Sequence, residues 1–333
     1  MSIIGKYQIE SFDNSYVFNA HDSPFMISLQ RNTVATLIVS LAMMSMLFST
    51  SVYAEKLSPD VNESVALEDV PEPLPAQVEA LEGEAWLIDK RGTETPLVEG
   101  MEVKREQGIR TGSNAYVALV LGDDSRIVLP SQSSVVLLSD EKVMQVKLLQ
   151  GQVESYVRKR EPQVEHFQIL TPVGVLGVRG THFRARQVAG EDAVLAEVLS
   201  GSIAAERDER QEAPSLINAK QGMRIVPDGN LNAVELLPGP QLLGQQGSAA
   251  ADSGWTIVIK PLPGAQRYRV QVASDPKFMR IKREQFSNST EVSFFGLDLP
   301  LYYVRISAFD ELGLEGLTSI YHVMHFLPVA SQY

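Results

Sequence analysis

The chain has 333 residues, 44% of them hydrophobic and 21% charged, with a formal net charge of −12 and no cysteine. That length holds two domains of ordinary size, each with its own core, and the composition excludes wholesale disorder. The acidic balance argues against nucleic acid, which is held by clustered Lys and Arg; the lack of cysteine excludes disulfide frameworks, thiolate zinc sites and cysteine nucleophiles.

Residues 1–25 show no periodicity and read as an extension or a mispredicted start, with Met26 opening a signal peptide over 26–54. Its apolar run, Thr33 to Phe48, follows Arg31 and ends at Ser51-Val-Tyr-Ala54. Small side chains at Val52 and Ala54 fit a signal peptidase, so cleavage is predicted between Ala54 and Glu55. The alternative is an uncleaved anchor, since the run is close to the roughly 20 residues that span a bilayer. No Cys follows it, so no lipoprotein is expected, and the exported chain is predicted to be periplasmic. Residues 55–77, with six acidic residues, one Lys and four Pro, read as a disordered acidic tether.

From Val78 to Leu237 short β-like runs alternate with Gly, Asp, Asn and Pro, among them Ala115–Leu121, Val143–Leu149, Val164–Leu170, Thr181–Val188 and Ala193–Leu199. Three segments echo one another as Leu-x-Gly-x-apolar, centred on Gly83, Gly151 and Gly201. Glycine there supplies positive φ at a sharp corner, which predicts strands that turn and stack as a β-roll or short β-solenoid, though the spacing is no strict repeat. Residues 238–253 read as a linker. Residues 254–328 follow as a small β-sandwich, and 329–333 as a tail. In Arg267–Ala273, Tyr268, Val270 and Val272 face one way and Arg267, Arg269 and Gln271 the other, predicting one buried and one solvated face.

Residues 78–237 resemble the FecR domain. The matching pieces are Gly108-Ile-Arg-Thr-Gly112, Asp123-Asp-Ser-Arg-Ile-Val-Leu129, Leu149–Val153, and a signature of Thr171, Pro172, Gly177, Arg179, Gly180, Thr181 and Phe183. The resemblance implies that these signature residues are mainly structural. Residues 254–328 look like a fibronectin-type-III-like module, on Trp255, Gly264–Ala273, Tyr302-Tyr-Val-Arg305 and Gly313-Leu-Glu-Gly316. The best-known FecR members regulate a sigma factor from a cytoplasmic segment, which here would have to fit ahead of Thr33. The resemblance thus implies a periplasmic binding role.

The candidate partner-binding residues are Arg158, Lys159, Arg160, His182, Arg184 and Arg186. Alternation puts His182, Arg184 and Arg186 on one strand face, where a basic stripe could receive an anionic partner. The competing reading is cross-strand pairing, with Glu197 and Glu206 as counterions. Gly174–Thr181 lacks the Gly-Lys-Ser/Thr ending of a phosphate loop and reads as tight turns. His322 and His325 face opposite sides of one strand, His166 and His182 lack metal-site spacing, and Asp123-Asp124 sits in a turn, so no catalytic, metal or cofactor site is predicted. Trp255, Tyr302, Tyr303 and Phe326 read as core or as a sugar-stacking face. The expectation is an all-β, non-catalytic binding or scaffold protein of the envelope, with an envelope protein or a glycan such as peptidoglycan as partner. It meets the membrane only through export or an uncleaved anchor. The alternative is a sensory component relaying ligand or transporter occupancy to a membrane partner; a glycan-active enzyme is a third reading.

Overall fold

A computed structural model describes residues 76–138, 143–159, 166–207, 213–247, 254–297 and 299–324. The extension, the signal segment with its Ala54–Glu55 site and the tether up to residue 75 lie outside them, as do Arg160, His325 and Phe326. Ala76 and Gln77, read as the end of the tether, already belong to a strand.

Every regular element described is a strand, as the short runs between turn formers predict. The first body comprises β1 (Ala76–Glu82), β2 (Ala85–Ile88), β3 (Glu94–Pro96), β4 (Glu102–Val103), β5 (Gly108–Thr111), β6 (Tyr116–Val120), β7 (Arg126–Leu129), β8 (Ser134–Leu137), β9 (Met144–Gln150), β10 (Gln152–Tyr156), β11 (Phe167–Thr171), β12 (Gly174–Val178), β13 (His182–Gln187), β14 (Val194–Ser200), β15 (Ser202–Glu206), β16 (Ser215–Asn218), β17 (Gln221–Ile225) and β18 (Val234–Glu235). The second comprises β19 (Leu242–Gly247), β20 (Trp255–Ile259), β21 (Arg267–Ala273), β22 (Ile281–Ser287), β23 (Glu291–Phe294), β24 (Leu301–Phe309) and β25 (Ser319–Met324).

The first body is two nine-stranded sheets. Sheet 1 runs β18-β17-β14-β13-β10-β7-β6-β1-β4, and sheet 2 runs β16-β15-β12-β11-β9-β8-β5-β2-β3. The chain thus passes from one sheet to the other every one or two strands. Three of those passages fall at the echoed glycines, between β1 and β2, β9 and β10, and β14 and β15. Gly83, Gly151 and Gly201 have φ of +76°, +75° and +82°. At Gly151 a Cβ would lie 2.5 Å from Ser133 Oγ and 2.6 Å from the Gln132 carbonyl, so glycine is required by space as well as by φ. Between the sheets lies one core, to which β13 contributes Phe183 and Ala185, with Phe183 edge-on to Phe167 at 6.4 Å.

The second body packs a three-stranded sheet, β19-β20-β23, on a four-stranded sheet, β22-β21-β24-β25. Trp255 is fully buried there beside Phe294 and Tyr302, which corrects the sugar-stacking reading of Trp255 and Tyr302. The segment read as a linker contains β19, which pairs with β20 and sends Gln245 Oε1 to accept the Trp255 indole N–H at 2.6 Å. A Gly- and Gln-rich edge strand needs only backbone pairing, so its composition resembles a linker. The passage between the bodies is pinned: Leu317 N–H donates to the Leu237 carbonyl at 2.8 Å and Tyr321 OH to the Pro240 carbonyl at 3.1 Å.

The alternation in β21 is as expected, with Tyr268, Val270 and Val272 in the second core. Its opposite face is solvated only at its start, however: Arg267 is exposed, but Arg269 is 3% and Gln271 2% exposed. That face packs against sheet 1, because the face it meets is polar too.

Candidate functional site: a charged interface between the two sandwiches

The strand that carries the family-like signature places the sequence candidates at this interface. In β13, Phe183 and Ala185 point inward, so period-two geometry turns His182, Arg184 and Arg186 outward. Outward here means toward β21 and β24. Arg184 is 1% exposed, which overturns the reading of an open basic stripe: its anionic partner is the chain's own Glu315.

The contacts form a continuous chain. Arg305 grips Glu154 on β10 with two parallel hydrogen bonds of 2.9 Å. Its Nε donates to Gln271 Oε1 at 2.7 Å, and Gln271 donates to Glu284 at 2.7 Å. Arg269 joins Glu284 at 2.6 Å to Glu315 at 3.0 Å. Glu315 also takes the Ser307 hydroxyl at 2.5 Å and Arg184 Nη1 at 2.9 Å. Arg184 Nη2 donates to the Glu315 and Gly316 carbonyls. Glu197, opposite Arg184 in the β13–β14 ladder, receives the Glu315 backbone N–H at 3.0 Å and lies 3.9 Å from Arg184 Nε. That Nε makes no hydrogen bond. Around this polar centre sit three small apolar clusters, including Tyr116 with Phe278 and Leu195 with Leu314.

Burial opposes ionisation of each carboxylate, and the guanidiniums decide the outcome. Arg184 and Arg269 overcome burial at Glu315 and bring its pKa to about 2. Arg305 and His182 hold Glu154 well below the usual carboxylate range. Glu197 goes the other way: burial raises it, and Arg184 at longer range does not compensate. Three guanidiniums thus meet three closely paired carboxylates, Glu154, Glu284 and Glu315, and a fourth, Glu197, whose pKa is raised. His182 stacks on Tyr156 at 4.0 Å and its Nε2–H meets Glu154 at 2.9 Å; burial lowers its pKa despite that carboxylate.

The remaining candidates separate from this centre. Arg158 is exposed and pairs with Asp124 at 2.6 Å, not with Glu206, and Lys159 is exposed. Of the two counterions anticipated, Glu197 faces Arg184, whereas Glu206 lies on β15 of sheet 2. The signature residues act locally. Thr171 Oγ1 donates to the Gly174 carbonyl at 2.7 Å, with Pro172 exposed in the same turn, and Thr181 Oγ1 donates to the Ser202 carbonyl at 2.8 Å. Gly177 pairs with Gln168 and Ala204, and Phe183 fills the core. Gly180, at φ +100°, lets Lys159 approach to 2.6 Å of where a Cβ would stand, and Arg179 is exposed. Gly174–Val178 is strand β12 rather than a run of turns. His166 Nε2 lies 3.0 Å from the Arg158 carbonyl, and His322 is edge-on to Tyr303. Among the described residues no group of three or more His, Asp or Glu side chains could hold a metal ion.

Sequence reasoning missed Glu154, Arg269, Arg305 and Glu315 as members of one site. Arg269 and Arg305 were visible as charges on strand faces, but Glu315 meets Arg184 across 131 positions of chain.

Two crystal structures of a candidate anti-sigma factor from Parabacteroides distasonis ATCC 8503 are similar to this chain at 13% identity. They have TM-scores of 0.34 and 0.33, covering 38% of this chain and 59% of theirs. The extracellular domain of a candidate hybrid two-component system from B. thetaiotaomicron is similar at 9% identity and TM-score 0.18, covering 77% of this chain and 59% of that one. The chain thus spans under two thirds of each neighbour's length. No curated protein matches it in sequence. Residues 107–204, from β5 through most of β15 and including the whole of β13, match the family model described as FecR protein.

Proposed function

We propose that the chain is a non-catalytic sensory component of a cell-envelope signalling system, sampling a ligand or transporter and relaying its occupancy to a membrane partner. The observation that carries this reading is the FecR match over 107–204, which falls on the sandwich whose sheet 1 is keyed to a second sandwich. Buried ion pairs contribute little net stability over apolar packing, but they penalise every misregistered docking. Such an interface holds two modules at one angle, which suits transmission of a displacement. The apolar Thr33–Phe48 run supports a periplasmic location, and the three-plus-four strand order supports a fibronectin-type-III-like second module.

A photo-crosslinking residue at exposed Lys147 on sheet 2, in the full chain expressed in its host, tests the reading. A covalent adduct with a membrane protein is expected. Co-sedimentation with purified sacculi and no protein adduct would replace it with the scaffold reading.

A further inference from the structure

At the rim of the charged interface, two guanidiniums make no direct ion pair with a carboxylate, although Glu197 acts on Arg186 and Glu315 on Arg267 at longer range. Arg267 opens β21 opposite Phe309 of β24, and Arg186 arrives from β13 on the facing sheet. Both lie over the same ring: Arg267 is 4.6 Å and Arg186 5.5 Å from the centroid of Phe309. Arg267 also lies 4.9 Å from the ring of Phe286, which is 49% exposed. Arg184 and Arg269, one step deeper on the same strands, each have a carboxylate within 3.0 Å. Among the described residues the Arg186 side chain donates a hydrogen bond only to the Gly313 carbonyl, and the Arg267 side chain makes no hydrogen bond or ion pair.

We propose that Arg186 and Arg267 form an oxyanion site bridging the two sandwiches, which takes a carboxylate or phosphate group of a ligand. The guanidinium fork matches both groups in bidentate geometry. Phe309 and Phe286 lie within cation–π range of these guanidiniums, whose N–H groups beyond the one given to Gly313 are available to an acceptor. Exposed Phe286 offers a surface for the apolar part of such a ligand. Gly313 leaves room, since a Cβ there would meet nothing closer than 3.6 Å. The two like charges also repel: burial, then Arg186, lowers the proton affinity of Arg267, with Glu315 acting in the opposite sense. An oxyanion removes that repulsion. Because each sandwich contributes one arginine, occupancy tightens their docking, and the site is independent of the signalling reading.

The test is titration of the ¹⁵N-labelled full chain with inorganic phosphate and, separately, with acetate at constant ionic strength, following the arginine Nε–H resonances. Saturable shifts at Arg186 and Arg267 are expected with at least one anion. Phosphate alone marks a phosphate ligand, acetate alone a carboxylate ligand, and both the shared chemistry. Arg267→Gln should weaken binding by about tenfold or more. The unmutated chain gives a second readout, in which the bound anion should slow phenylglyoxal modification of Arg267. Saturation by neither anion, or unchanged affinity in Arg267→Gln, overturns the proposal.

Discussion

Glu315→Gln is the sharpest probe of the interface. The carboxylate accepts from Arg184, Arg269 and Ser307 at 2.9, 3.0 and 2.5 Å, all of them buried. Glutamine keeps one acceptor but turns an NH₂ toward a guanidinium and leaves buried positive charge uncompensated. Removing one partner of a buried pair costs about 3–5 kcal/mol. At a urea slope of about 3 kcal/mol per molar, the unfolding midpoint should fall by about 1–2 M. The two tryptophans report separately, Trp86 from β2 in the first sandwich and Trp255 from the core of the second. Followed in single-tryptophan versions of the full chain, the unmutated transitions should coincide, and Glu315→Gln should move the Trp255 transition to lower urea. A loss under about 1 kcal/mol, the range of exposed pairs, with transitions still coincident would refute the claim that this network couples the sandwiches.

Glu197→Gln should behave oppositely at pH 7. A raised folded pKa means stability that is complete below the usual value of 4.5 and lost as pH rises through the folded value, so a neutral amide there should be neutral or stabilising in the same urea assay. On acidification Glu315 and Glu154, whose folded values are depressed, contribute stability present above 4.5 and lost as pH falls through their folded values, which for Glu315 is about 2. His182 adds to that loss from 6.5 downward, and His182→Phe, which can keep the Tyr156 stack, should remove this earlier phase from a urea-midpoint-against-pH series. Gly151→Ala should cost more than the roughly 1–2 kcal/mol of a left-handed residue, whereas Gly100→Ala, at φ +80° with nothing within 4 Å, should cost only that; equal losses in thermal melts would dismiss the packing argument. Asp124→Asn, which removes the exposed pair with Arg158, should change stability by less than about 1 kcal/mol in the same melts.

The strand pattern and the corners at Gly83, Gly151 and Gly201 were legible because they rest on local chemistry: period-two alternation, and the need for φ that only glycine adopts freely. The two faces of β13 were legible for the same reason. What alternation cannot say is what a polar face meets. Arg267-Tyr-Arg-Val-Gln-Val-Ala273 looks the same whether its arginines reach water or carboxylates on another sheet. The basic stripe and the solvated face were therefore two halves of one interface, each read as if the other were absent. Leu242–Gly247 escaped as a strand because an edge strand carries little side-chain signal.

A polar docking face also bears on how the chain is made. The first sandwich is synthesised before the second, so its sheet 1 waits uncovered until β21 and β24 arrive. An apolar surface of that size would invite aggregation of the half-made chain. A face centred on Glu154, Arg184 and Glu197 stays hydrated while it waits, and sheds its water only when residues 267–315 supply the complementary charges.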